Sequence, residues 1–356
     1  MKTRDDYIRN LACDGLAVGI SRRSLLKTMM VMSIAPSVMA ASAPAPIAVR
    51  KLHHFGLRVS DVARSVAFYQ DIFGAPIHSR QGDTVCLRIG AGPAFFSLSP
   101  TRDAEVPGIS HIGISVADFD SGRLTAQLDA NGIVRRDIPA MGEAALESAL
   151  RSWVGGLDAE RPGGSDDLFF ADREGLVYQL CSSSYCEGSD CETMQPASSS
   201  GLVHLVDINH FTNYMSNSPR ANQFYLDLFG LEYQAYQGPN SPIVGVGDGK
   251  QFLMYVGGSQ DGAPAQPGRT DHVSLSVTDF DVDAILTKLT GYGLRARENP
   301  SATPPLSHWV SMRMPNRGGA EGGTPELYFS DPDGLHIQLQ HVDYCGGGGY
   351  LGDLCA

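Results

Sequence analysis

Basic residues are scarce in this chain: 27 Lys and Arg stand against 39 Asp and Glu, a formal net charge of −12. A surface of that sign disfavours nucleic acid and anionic membrane as partners. The paired C-x-x-C spacing of common zinc sites is missing among the seven cysteines, which counts against a zinc site built from cysteine alone. Charged residues reach only 19% against 42% hydrophobic, so neither disorder nor a coiled coil fits. What the chain has in quantity is glycine (40) and proline (21), the punctuation of many short strands joined by turns. Its 356 residues suffice for two domains of ordinary size, each burying its own core.

The N-terminal segment reads as an address, not as fold. Ser21-Arg22-Arg23-Ser24-Leu25-Leu26-Lys27 precedes an apolar run from Thr28 to Ala35 and small residues ending at Ala40. This is the pattern of a twin-arginine signal peptide over residues 1–40, with Leu25 where Phe is usual. The run is too short to span a bilayer. The expected location is the periplasm or outside the cell. Cleavage after Ala40 removes more basic than acidic residues and takes the charge from −12 to −15. In an oxidising compartment the six remaining cysteines are expected as disulfides. Cys186 with Cys191, and Cys345 with Cys355, would each close a short loop, leaving Cys86 with Cys181.

The chain repeats itself. Phe68-Tyr69-Gln70-Asp71-Ile72-Phe73-Gly74 recurs as Phe224-Tyr225-Leu226-Asp227-Leu228-Phe229-Gly230, His111-Ile112-Gly113-Ile114-Ser115-Val116 recurs as His272-Val273-Ser274-Leu275-Ser276-Val277, and Asp172-Arg173-Glu174-Gly175 recurs as Asp331-Pro332-Asp333-Gly334. Tyr185-Cys186 matches Tyr344-Cys345. Each half divides again into two units that open on a strand carrying a His and continue into a helix, giving modules over about 50–100, 109–183, 206–257 and 270–342. The expected helix of the first module is capped by Ser60 or Asp61, buries Val62, Val66, Phe68, Tyr69 and Phe73, and stops at Gly74. In the fourth, Asp279 or Asp281 caps. Halves over 50–194 and 206–356 are joined by a linker over 195–205.

This order of cap, Phe-Tyr pair, Phe-Gly stop and terminal Asp-Pro-Asp-Gly strand resembles the vicinal oxygen chelate superfamily, which contains glyoxalase I, bleomycin resistance proteins and extradiol dioxygenases. The resemblance implies an α+β fold of four βαβββ modules, paired into two eight-stranded cup-like half-barrels.

Strand alternation asks which residues line those cups. Val273, Leu275 and Val277 form an apolar face, so His272 shares the other with Ser274 and Ser276. His111 lies opposite Ile112, Ile114 and Val116, and His54 opposite Phe55, Leu57 and Val59. His210 lies with Thr212 and Tyr214. On the last strands Gln338 opposes Ile337 and Leu339, and Gln179 opposes Tyr178 and Leu180. By resemblance, metal ligands fall on His210, His272 and Gln338, with a second set at His54, His111 and Gln179. The family's acid is Gln in both, which brings no charge to the ion.

The C-terminal half is favoured, because Leu327-Tyr328-Phe329-Ser330-Asp331-Pro332-Asp333-Gly334 resembles the extradiol signature while its N-terminal copy has Phe169 for the Tyr. Tyr328 is therefore a candidate to bind a substrate oxygen. The signature's acid–base His is missing, with His308 and His336 as candidate substitutes. Long insertions at 140–166 and 299–324 are expected as lids.

The function expected is a metal-dependent enzyme, iron(II) favoured over manganese(II) or zinc(II), acting on a small substrate with neighbouring oxygens by extradiol ring cleavage. A metal-free binding protein of bleomycin-resistance type and a glyoxalase-like isomerase or lyase are the alternatives. No nucleic acid or membrane partner is expected, and a homo-oligomer is admitted.

Overall fold

The computed structural model describes residues 45–347 apart from 103–104, 189–190, 192–194, 198, 248–249, 260–261 and 263. The signal segment and Cys355 lie outside the described residues.

The N-terminal half runs β1 (Val49–Val59), α1 (Val62–Phe73), β2 (Ile77–Gln81), β3 (Thr84–Arg88), β4 (Phe95–Pro100) and β5 (Gly108–Val116). It continues through α2 (Ser121–Ala130), β6 (Val134–Arg135), β7 (Arg151–Val154), β8 (Gly156–Asp158), β9 (Arg161–Pro162), β10 (Leu168–Ala171) and β11 (Val177–Cys181). The C-terminal half repeats the pattern with β12 (Leu205–Met215), α3 (Ser218–Phe229), β13 (Tyr233–Tyr236), β14 (Pro242–Val246), β15 (Gln251–Gly257) and β16 (Arg269–Val277). It closes with α4 (Val282–Tyr292), β17 (Arg295–Ala296), β18 (Ser307–Arg313), β19 (Thr324–Ser330) and β20 (His336–His341).

Each half forms one mixed sheet, in the orders β2-β3-β4-β1-β5-β11-β10-β7-β6 and β13-β14-β15-β12-β16-β20-β19-β18-β17. The fold is α+β as expected. Each sheet has nine strands instead of eight, the extra one being the two-residue β6 or β17 at its edge. The insertions expected as lids hold sheet strands: β7 and β18 lie inside them and pair with β10 and β19.

Local chemistry accounts for the helices. Asp61 accepts from the Arg64 amide as the N-cap of α1, Asp281 does the same for α4 through Ala284, and Gly74 closes α1 at φ 62°, a conformation that costs glycine little. The apolar stripes meet in one core running through both halves, from Phe55, Tyr69 and Phe96 to Phe211, Tyr225 and Phe329.

The repeated motifs explain that joint. Tyr69 donates to Asp331 Oδ2 at 3.0 Å, and Tyr225 donates to Asp172 Oδ2 at 2.7 Å, so each Phe-Tyr pair meets the Asp turn of the opposite half. Around them Arg64 pairs with Asp333 and Arg220 with Glu174.

Cys186 and Cys191 are joined as expected, and Cys345 is disulfide-bonded. Cys86 and Cys181 are not: both are buried free thiols, on β3 and β11 with β4, β1 and β5 between them. A disulfide needs a Cα separation below about 7 Å, which an intervening run of strands does not offer.

Candidate metal centre and cup residues

Pairing β1 with β5, and β12 with β16, sets the two histidines of each half side by side: His54 and His111 have ring centroids 5.4 Å apart, His210 and His272 5.6 Å. In the N-terminal half the ring of each histidine lies over a glycine of the neighbouring strand, and a Cβ on Gly113 or Gly56 would collide with it. All four histidines are buried, as are Gln179 and Gln338. The expected sets therefore come together, each on the cup face of its sheet.

The two cups differ in how the imidazoles are held. In the C-terminal cup, His210 Nδ1 lies 2.7 Å from Asn209 Oδ1, and Asn209 uses its nitrogen on the Tyr344 carbonyl, so its oxygen must accept. His210 accordingly carries its proton on Nδ1 and leaves Nε2 bare. Burial, then the charges of His272 and Arg313, hold its pKa well below the usual histidine range. His272 Nδ1 faces Asp271 Oδ2 at 2.9 Å, an acceptor that assigns Nδ1 the proton in the neutral ring. Gln338 is hydrogen-bonded to His210, while among the described residues His272 Nε2 and Gln338 Nε2 are buried without hydrogen-bond partners. Burial pushes the Asp271 carboxyl up, but hydrogen bonds from His272 and His336 outweigh it and hold it below the usual range.

In the N-terminal cup the polarity is reversed. Gln179 donates to Asp167 at 3.1 Å, which turns its oxygen toward His54 Nε2 at 2.9 Å. His54 therefore donates from Nε2, and its bare Nδ1 faces His53 Nδ1 at 3.1 Å. Its ring stacks on Phe95 with centroids 4.7 Å apart and also lies against Tyr185 at 5.1 Å. Burial lowers His54 strongly and takes His111 down to about 3. A cavity of about 180 Å³ opens here, with His111, Asp167, Gln179 and Tyr185 in its lining.

Tyr328 turns into the C-terminal cup, edge-on to His272, flat against Trp309 and 3.5 Å from Glu326 Oε2. His336 stands half-buried at the rim, 3.9 Å from Asp271 and edge-on to Trp309. His308 points the other way: its Nε2 meets Thr290 on α4 at 3.0 Å, on the helix side of the sheet.

Several cup residues were not anticipated. Asp167, immediately before β10, and Glu326 on β19 supply the carboxylates that the glutamines lack. Tyr185 and Tyr344 fold in from the tails to donate to them, at 2.6 and 3.3 Å; the repeated Tyr-Cys pair was the visible signal. Arg313 is fully buried and pairs with Glu326 at 3.0 Å. His53 and Asn209 sit at β-bulges in β1 and β12, where one extra residue lets two neighbours share a face.

Residues 51–175 match the model of the Glyoxalase/Bleomycin resistance protein/Dioxygenase superfamily. No curated protein sequence matches the chain. Among solved structures, the homoprotocatechuate 2,3-dioxygenase of Brevibacterium fuscum, in its anaerobic complex with 3,4-dihydroxyphenylacetate, is similar at 18% identity, with a TM-score of 0.54 over 84% of this chain and 82% of that one. The enzyme of the same name from Arthrobacter globiformis is similar at 18% identity, with a TM-score of 0.52 over 84% and 81%. At such identity the likeness is one of fold. The family likeness thus spans residues 51–175, and the two module pairs together have the fold of the homoprotocatechuate 2,3-dioxygenases.

Proposed function

We propose that this chain is an exported metal-dependent enzyme acting on a small substrate with neighbouring oxygens, by extradiol-type ring cleavage. The observation that carries the reading is the locked pair of imidazoles in the C-terminal cup: acceptors at both Nδ1 atoms, a buried His272 Nε2 with no hydrogen-bond partner among the described residues, and Gln338 hydrogen-bonded to His210 beside them. Neutral histidines oriented from behind by carboxylate or amide are what a metal site requires. His210, His272 and Gln338 would hold the ion, iron(II) favoured and manganese(II) or zinc(II) as alternatives.

When bound, the ion supplies Lewis acidity to the two substrate oxygens and to dioxygen. The chain's own residues do the rest. Asn209 and Asp271 keep the ligand tautomers fixed. Phe252 stacks on His210 at 4.2 Å and holds the ring in place. Tyr328 offers a hydroxyl to a substrate oxygen, and Glu326, steadied by Arg313 and Tyr344, stands ready to take the proton from it. His336 stands beside Asp271 at the rim of the cup. The fold shared with homoprotocatechuate 2,3-dioxygenases supports ring cleavage over isomerisation.

The test is metal analysis of the mature protein recovered from its own export route, beside His210→Ala and Gln338→Ala. One equivalent of iron, manganese or zinc, lost in His210→Ala, and oxygen uptake with a catechol are expected. Absence of metal together with no thermal stabilisation by iron(II), manganese(II) or zinc(II) would reject the enzyme reading. N-terminal sequencing of the exported chain checks cleavage after Ala40.

A further inference from the structure

The two halves should carry the same residues around the same histidine if they did the same work, and they do not. Behind His210 stand Asn209 on the bulge and Gln340 two residues beyond Gln338. Behind His54 stand His53 on the equivalent bulge and Cys181 two residues beyond Gln179. Both replacements exchange an amide for a soft or borderline ligand. One ring nitrogen of His53, one of His54 and Cys181 Sγ all lie within 4.8 Å of one another, and all three side chains are buried.

The hydrogen bonds aim these groups at each other. Because Gln179 takes the Nε2 proton of His54, the lone pair of that ring is at Nδ1, directed at His53 and away from the cup. Among the described residues His53 Nε2 is buried with no hydrogen-bond partner. Cys181 is a free thiol that, among the described residues, donates to the Ile114 carbonyl at 3.6 Å.

We propose that His53, His54 and Cys181 form a buried site for a soft monovalent ion, copper(I), beneath the floor of the N-terminal cup. Charge decides the ion. Two neutral imidazoles and a thiolate around a monovalent cation sum to zero, which a site closed to water tolerates, whereas a divalent ion would leave an uncompensated positive charge. Thiolate with imidazole selects copper(I) and zinc among the available metals, and zinc demands a fourth ligand in a tetrahedral set. On binding, the Cys181 proton leaves to solvent and the His53 proton moves from Nδ1 to Nε2; the ion takes the place between the two Nδ1 atoms.

The site is independent of the metal centre proposed for the other cup. The experiment is anaerobic titration of the mature, disulfide-intact chain with copper(I) against a chromophoric copper(I) chelator. A single equivalent should bind, with release of one proton. His53→Asn, which installs the residue of the other half, and Cys181→Ala should each weaken binding roughly 100-fold or more, since even a residue behind a ligand costs about 10–100-fold. His210→Ala should leave copper(I) binding unchanged. Copper X-ray absorption should record a sulfur neighbour in the loaded protein. Binding of equal strength in the wild type and in His53→Asn, which the other half shows to be compatible with the fold, would overturn the proposal, as would a loaded protein with no sulfur at the ion.

Discussion

Tyr69 and Asp331, 262 residues apart, share a buried hydrogen bond of 3.0 Å that ties the first module to the last. The Phe-Tyr and Asp-x-x-Gly motifs are thus two ends of one joint between the halves. Tyr69→Phe keeps the ring and removes the donor, and is expected to cost about 1–2 kcal/mol of unfolding free energy. Tyr225→Phe should cost a similar amount. Urea unfolding of the two variants and the double variant checks this, and a cost near zero for both single changes would reject the joint.

Burial pushes Asp331 and Asp172 up to about 6 each. A carboxyl raised in this way binds more protons in the folded chain than in the unfolded one. Its stabilising contribution is therefore complete below the unfolded value near 4 and is lost as pH rises through about 6. Asp331→Asn removes that titration while keeping an oxygen for the amides of Asp333 and Leu335. Relative to the wild type, the variant should gain on the order of 2 kcal/mol between pH 4 and pH 7, at about 1.4 kcal/mol per pKa unit. Parallel stability curves for the two proteins would refute the assignment.

Much of the site was legible in strand parity, because a period of two is a property of the strand alone. It put His54, His111, His210, His272, Gln179 and Gln338 on one face, where they are. His53 and Asn209 escaped it, since a bulge depends on the register of the neighbouring strand. His308 escaped because its surroundings, rich in proline and glycine, read as a loop; as part of β18 opposite Phe329 it belongs to the core face. Asp167 and Glu326 are two ordinary acids in sequence. Only the closing of the sheet, and a tyrosine from the tail, turns them into cup carboxylates.

Asp271 holds His272 from behind. Asp271→Asn keeps an oxygen for Nδ1 but removes the charge, and the proposed centre should lose about 10–100-fold in metal affinity without a change in fold. Calorimetric titration of the metal-stripped protein with manganese(II) measures it. An unchanged Kd would mean that the pair has no part in binding metal.

Arg313 and Glu326 form a buried ion pair beside the C-terminal cup. Arg313→Met leaves a carboxylate buried and unpaired, at a cost of about 3–5 kcal/mol. Adding Glu326→Gln removes that charge and should recover most of the loss. Simple additivity of the two changes in a double-mutant cycle would contradict the pairing.

The bulge behind each cup histidine has an evolutionary reach out of proportion to its size. Codons for asparagine and histidine differ at one base, so a point change at this position exchanges an acceptor for a second imidazole. With the cup glutamine turned to suit, the strand histidine then presents its lone pair to the opposite side. A duplicated half can in this way acquire a different chemistry while its sheet, core and joint to its sibling stay as they were.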